Sequence, residues 1–213
     1  FFKEVDSLAL SNAQLNRNKA FKAFFRKQNK FPKYKTKRNK QSYSTNNQNG
    51  TVYLSEDYKY ISLPKIKNVR IKMHRKFKGV IKTVTVSKEC DNTYYVSILV
   101  EENIEAKPKS KNSVGIDLGI KSYIVDSNAK RIDNPKYLPK WLLRLAIEQR
   151  KLSHMKKGSK NRNKQRIKVA RLHRHIVNQR NDFLHQISSQ YINENQVIIL
   201  EDLDIKQMEQ DSS

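Results

Sequence analysis

The sequence predicts a mixed α+β and α/β chain in two parts: a small basic β-barrel behind a helical stretch, then an α/β domain. Three observations predict it. Between residues 51 and 103, short alternating runs are punctuated by turn residues about every ten positions, as in small antiparallel sheets that close on themselves. Val114-Gly115-Ile116-Asp117-Leu118-Gly119 alternates like a half-buried strand, whereas Val197-Ile198-Ile199-Leu200 is apolar on both faces, as in a parallel sheet. Two long helical patterns separate these runs, enough chain for the crossover that joins parallel neighbours.

Taken in order, residues 1–30 read as helical, with Val5, Leu8, Leu15, Ala20, Phe21, Phe24 and Phe25 forming an apolar stripe. They look like the last helices of a larger helical region. Phe31-Pro32 breaks the pattern and opens an extended basic segment, Lys33-Tyr34-Lys35-Thr36-Lys37-Arg38, in which Phe31 and Tyr34 can stack on bases. A solvated linker is the plainer reading of that segment. Residues 41–50 are rich in Asn, Gln and Ser and end in the turn signal Asn49-Gly50. Strands are expected at 51–54, 58–63, 69–73, 80–87 and 93–100, the last two joined by a hairpin at Asp91-Asn92. Lysines 65, 67, 72, 76, 78 and 82 make this module a candidate nucleic-acid holder. Residues 106–111 read as a linker, so the boundaries fall at 1–30, 31–110 and 111–213.

In the second part, Tyr123-Ile124-Val125-Asp126 reads as the return strand of a hairpin before the turn Ser127-Asn128. Pro135 and Pro139 precede a helix carrying Trp141, Leu142, Leu145, Leu152 and Met155, and Gly158-Ser159 ends it. A longer helix repeats Val169, Leu172, Ile176, Phe183, Ile187 and Tyr191 at helical spacing, and its other face carries Lys164, Arg166, Lys168, Arg171, Arg174 and Arg180. A solvated charged face is the plain alternative, weakened because compensating acids at i±4 are scarce.

The chain has 44 Lys and Arg against 20 Asp and Glu, a net charge of +24. Such an excess opposes compaction unless a polyanion neutralises it. The cations concentrate in 13–40, 65–88 and 137–185, while Asp117 and Glu201 fall outside those segments. A ribosomal or membrane-surface protein shares that composition. One cysteine, Cys90, excludes an intramolecular disulfide and a cysteine-based zinc cluster within these residues. His173 and His175 read as surface groups rather than metal ligands. No apolar run approaches the roughly 20 residues of a membrane span, and no signal peptide opens the chain, so a cytoplasmic protein is expected.

An aspartate inside a strand is a poor strand former and costly to bury, so Asp117 needs a reason to be there. Flanking glycines leave space beside it, and the second apolar strand ends in Glu201-Asp202. If the two strands are neighbours, Asp117 and Glu201 share a small volume in which a hard cation, most simply magnesium, relieves their repulsion. The plain readings are a turn aspartate and a solvated loop acid.

These features together resemble an RNase H-like (RuvC) nuclease core. More closely, the chain resembles the TnpB family of transposon-encoded RNA-guided DNA endonucleases, the probable transposases of OrfB type related to type V CRISPR effectors. The resemblance is carried by Val114-Gly115-Ile116-Asp117-Leu118-Gly119-Ile120-Lys121 and by Ile199-Leu200-Glu201-Asp202-Leu203-Asp204-Ile205-Lys206-Gln207-Met208. Val177-Asn178-Gln179-Arg180-Asn181-Asp182-Phe183-Leu184-His185, Phe31-Pro32-Lys33-Tyr34-Lys35 and Gln41-Ser42-Tyr43 support it.

The resemblance implies that Asp117 and Glu201 are the first two metal-binding carboxylates of a two-magnesium site, with Asp202 and Asp204 as competing choices for the second. It implies that 1–30 ends a helical recognition region and that 31–110 is a wedge-like barrel. The partners it implies are guide RNA and target DNA in a bacterial, nucleoid-associated setting, with neither a membrane nor a small-molecule substrate. Lys33, Lys35, Lys37, Arg38, Lys72, Lys76, Lys164, Arg166, Arg171, Arg174 and Arg180 are the candidate nucleic-acid contacts. The family also has a third carboxylate preceded by a zinc-binding insert. Neither occurs in these residues, so the chain reads as a fragment with an incomplete nuclease domain, inactive alone. Zinc is not expected in it, and a catalytically dead nucleic-acid-binding regulator is the alternative.

Overall fold

The computed structural model describes residues 4–37, 39–106, 108–119 and 121–202. The chain divides into two compact units, Phe1–Glu105 and Ala106–Ser213.

In the first unit, helix α1 (Ser7–Phe25) starts on Asp6, whose carboxylate accepts from the Leu8 amide at 3.0 Å. It stops at Phe25 rather than running on to residue 30, because Lys27 turns left-handed with φ of 59°. The apolar stripe is only partly used. Phe21 and Phe24 meet the ring of Phe31 at 5.7 and 5.3 Å, while Phe25 remains 75% exposed.

Two antiparallel three-stranded sheets follow among the described residues, and the expected closed barrel does not form. One sheet orders β1 (Gln41–Asn46), β5 (Val80–Lys88) and β6 (Tyr94–Glu101) as β1-β5-β6; the other runs β2 (Tyr53–Leu54), β3 (Tyr60–Leu63), β4 (Ile66–Arg70). Val52, just ahead of β2, packs with Ile61 and Leu63 of β3 and Val84 of β5 in one shared core. The strand expected at 69–73 instead begins at Ile66, after a tight turn in which Lys65 has φ of 65°. Gly79 opens β5 at φ of +111°, where a Cβ would sit 2.2 Å from the Glu101 carbonyl oxygen, so only glycine fits there.

β1 was not anticipated from its polar composition. Its partner supplies what its side chains lack: Ser44 and Thr85 hydroxyls meet at 2.7 Å, and Thr83 donates to Asn46 Oδ1 at 3.1 Å. Asn12 of α1 then donates to the Ser44 carbonyl at 3.0 Å, fastening helix to strand.

The second unit is a four-stranded sheet ordered β10-β7-β8-β9, from β7 (Ser113–Leu118), β8 (Ser122–Asp126), β9 (Arg131–Asp133) and β10 (Val197–Leu200). β10 is parallel to β7, and the other pairings are antiparallel. The crossover consists of α2 (Tyr137–His154) and α3 (Lys160–Glu194). Pro139 lies inside the first turn of α2 rather than ahead of it, a position whose amide needs no helical acceptor. α3 uses its apolar stripe twice. Val169 and Ile176 pack with Leu145 of α2, and Ile187 and Tyr191 cover Val114, Ile116 and Ile124 of the sheet.

Candidate metal centre and nucleic-acid interface

Alternation along β7 sends Val114 and Ile116 into the core beneath α3, and therefore Gly115 and Asp117 to the opposite face. Asp117 is exposed, as is Glu201. The parallel ladder pairs Val197 with Ser113, Ile198 with Val114, Ile199 with Gly115 and Leu200 with Ile116. The ladder and β10 end at Leu200; the same register carried one residue further would set Glu201 beside Asp117, at a strand spacing of about 4.8 Å and on one face. Both acids stand at carboxyl ends of parallel strands, where open α/β sheets collect their ligands.

Two adjacent carboxylates open to solvent suit magnesium, which commonly binds one or two carboxylates and fills its octahedron with water and phosphate. Among the described residues, no group of three His, Cys, Asp or Glu side chains is close enough together to hold a metal ion. Asp202 follows Glu201 and is also exposed; Asp204 and the rest of the motif to Met208 lie outside the described residues. Gly119 serves the hairpin rather than opening space for a ligand: a Cβ there would meet the Ser122 carbonyl at 2.8 Å.

A third acid, Asp126, was read only as the end of a strand. It lies on the α3 side of the sheet and is 7% exposed. Tyr191 donates its hydroxyl to Asp126 Oδ2 at 2.8 Å, and the amides of Asn128 and Lys130 donate to Oδ1 at 2.9 and 3.0 Å. Burial pushes this carboxyl up, but the Tyr191 hydroxyl, the two amides and the nearby Lys130 charge together hold it below the usual range. The Tyr191 hydroxyl is pushed up to about 12 by burial and by that carboxylate. Asp126 thus latches α3 to the sheet. No spacing in the sequence links it to a tyrosine 65 positions away.

The candidate nucleic-acid contacts fall into separate places. Lys33, Lys35 and Lys37 are exposed on the segment after α1, and Arg38 lies outside the described residues. This segment and α1 border a cleft of about 890 Å³, lined in part by Asn12, Asn16, Arg17, Tyr34 and Ser42. Tyr34 is 99% exposed, as a stacking platform would be. The polar residues that α1 contributes were not singled out in the sequence. Lys72 is exposed, and the Lys76 ammonium lies 5.6 Å from the Tyr58 ring centre.

On α3, Lys164, Arg166, Arg171 and Arg180 are exposed, but they do not form one stripe. At 3.6 residues per turn, Lys164 and Arg171 fall on one side, with Arg166 and Arg180 roughly opposite. Arg174 is half-buried, with Nη1 shut away from solvent, and does not belong to the outer face. Lys168 is committed elsewhere: its ammonium meets Glu148 Oε1 at 3.0 Å.

Glu148 is 6% exposed and also accepts from Gln165 Nε2 at 2.6 Å, with the Lys151 ammonium 3.7 Å away. The Gln165 and Lys168 hydrogen bonds outweigh burial and hold its carboxyl below the ordinary value. The counter-charge scarce along α3 itself therefore comes from α2. His175 packs edge-on against Trp141 at 4.9 Å, and His173 meets Gln149 at 3.3 Å. No helix among the described residues is long and apolar enough to cross a membrane.

A family model described as "Probable transposase" (OrfB_IS605) matches residues 79–211. A protein of Streptomyces pristinaespiralis named "Putative RNA-guided DNA endonuclease" is 34% identical over 208 residues, which is 98% of this chain and 52% of that protein. One of Escherichia coli (strain K12), "Putative RNA-guided DNA endonuclease InsQ", is 32% identical over 209 residues, covering 98% of this chain and 51% of that protein. The chain thus spans about half the length of the curated relatives it matches. The chain belongs to the OrfB_IS605 "Probable transposase" family.

Proposed function

We propose that this chain is part of an RNA-guided DNA endonuclease in which Asp117 and Glu201 hold divalent metal at an RNase H-like (RuvC) sheet. The observation that supports the reading is the β7–β10 register, which runs to Leu200 opposite Ile116 and, if continued by one residue, would make the two exposed acids neighbours on one face. Magnesium bound there would supply the Lewis acidity that generates a nucleophile from water and stabilises the departing 3′-oxygen. Asp117, flanked by strands on both sides, would be the ligand that both ions share, and Glu201, just past β10, would hold one of them. The first unit acts as the wedge-like module, with 1–30 as the end of a helical recognition region. Its cations and those of α3 grip guide RNA and target DNA on the nucleoid, and base pairing by the guide supplies sequence choice.

A magnesium-dependent nicking assay on the chain and on Asp117→Ala/Glu201→Ala tests this. Any cleavage is lost in the double variant while nucleic-acid binding stays within about twofold; metal-dependent cleavage that survives both substitutions refutes the assignment. A second reading has its own support. Since no group of three candidate metal ligands occurs among the described residues, the alternative is that these 213 residues by themselves act as a nucleic-acid-binding regulator and cleave very slowly.

A further inference from the structure

The sheet register extends the candidate metal centre beyond its acids. Asp117 pairs with Val125 across β7 and β8, and Val125 pairs with Arg131 across β8 and β9. Residues directly opposite in antiparallel strands project to the same face. Two neighbours fix which face that is. Ile132 packs beneath α3 with the Val114 core, and Asp126 bonds Tyr191 of α3, so Arg131 and Val125 project to the open side with Asp117. From Asp117 the row across the sheet reads acid, apolar, cation, and a β7–β10 register continued to Glu201 would add a second acid at its start.

Arg131 lies on the edge strand and is exposed, and its guanidinium makes no hydrogen bond or ion pair among the described residues. Asp133 shares its face two residues on, and no ion pair joins them. Val125, between the acids and the arginine, is half-buried and offers no polar side-chain atom. A nucleic-acid strand crossing this face from the metal therefore meets Arg131 as its next charged partner, two strand spacings or about 10 Å from Asp117.

We propose that Arg131 is a positioning residue that binds a backbone phosphate of the DNA strand to be cut, next to the phosphate held at Asp117 and Glu201. The inference rests on the nuclease reading. Its chemistry is that of a planar guanidinium on a phosphate, which fixes direction as well as charge. Through that contact Arg131 sets the direction in which the strand leaves the metal.

Two measurements on the full 213-residue chain test it. Manganese titration followed by amide NMR reports the metal site: selective broadening around Asp117 and Glu201, in the parent and in Arg131→Gln alike, is expected. Single-stranded DNA affinity is then measured against salt, in calcium and in chelator. In calcium, Arg131→Gln weakens binding roughly five- to tenfold and lowers the log–log salt slope by about 0.7, one phosphate contact, while Arg131→Lys restores most of the loss. In chelator the repelling carboxylates keep DNA off this face, and the two proteins bind alike.

Intact broadening with no effect of Arg131→Gln in calcium overturns the proposal and leaves the metal site standing. An equal loss in calcium and chelator also overturns it, by making Arg131 a general cationic contact. Absence of selective broadening removes the nuclease reading and the proposal together.

Discussion

Lys168 and Arg171 lie three residues apart on one basic helix and are expected to behave as opposites in nucleic-acid binding. Arg171 is exposed on the same side as Lys164, whereas the Lys168 ammonium is 3.0 Å from the buried Glu148 carboxylate. A lysine already neutralised by protein releases no counterion when a phosphate arrives; a solvated arginine does. On duplex DNA each true contact contributes about 0.9 to the log–log slope of affinity against salt, so raising salt from 50 to 200 mM costs roughly 3.5-fold per contact.

Arg171→Gln should therefore lower the slope by about 0.9, and Lys164→Gln with Arg171→Gln by about 1.8, whereas Lys168→Gln leaves it unchanged within error. Gln165 and Lys151 still hold Glu148 in that last variant, which keeps the hairpin folded. Fluorescence anisotropy of a labelled duplex across that salt range is the assay, with circular dichroism as the check on folding. A Lys168→Gln slope that falls as far as that of Arg171→Gln would refute the assignment of which cations are available.

Other outcomes follow from the same geometry. Tyr191→Phe removes the hydroxyl from a buried carboxylate and should cost the second unit about 1.5–3 kcal/mol in urea unfolding, the range for hydrogen bonds to charged groups. The pH dependence has a definite sign. The Asp126 carboxyl is lowered in the folded state, so its contribution is present above an unfolded value of about 4 and is lost as pH falls toward the folded one. Tyr191 is raised to about 12, so its contribution is present below an unfolded value of about 10 and fades as pH rises through the folded one. Urea midpoints measured from pH 3 to 11 should make a plateau that Tyr191→Phe lowers. Gly79→Ala, placed at φ of +111° against the Glu101 carbonyl, should destabilise the first unit and leave the second unchanged, seen as loss of one thermal transition.

Much of the frame was legible because burial writes itself into spacing. Val114 and Ile116 and the Val169 to Tyr191 series each announce a face, and the structure uses those faces as read; the run to Leu200, which reads as buried on both faces, instead lies at the edge of the described sheet with Val197, Ile199 and Leu200 exposed. What stayed hidden depends on partners remote in sequence. Gln41–Asn46 has no apolar alternation and becomes a strand through hydroxyl and amide pairing with β5. Residues 131–133 are too short to carry a period. In the sequence the candidate site shows itself at Asp117 and Glu201, because their residue types clash with their surroundings; the structure leaves both exposed. Asp126 was not, since a strand-ending acid looks the same whether or not a tyrosine reaches it. Lys168 reads as a free surface cation because helix spacing alone does not reveal the Glu148 that α2 brings against it, and the same spacing does not show that Arg174 is half-buried.

The length of α3 has a mechanical consequence. Its 35 residues span about 52 Å, and the far end is tied down at Tyr191 and, past the cap, by the Gln196 amide on the Asn112 carbonyl at 2.9 Å. Only Asn195 and Gln196 separate the helix from β10. The rod is therefore a lever with its fulcrum at the sheet. A sideways pull of several ångströms near Lys164 arrives at Val197 as a small, stiff rotation, with no slack segment to absorb it.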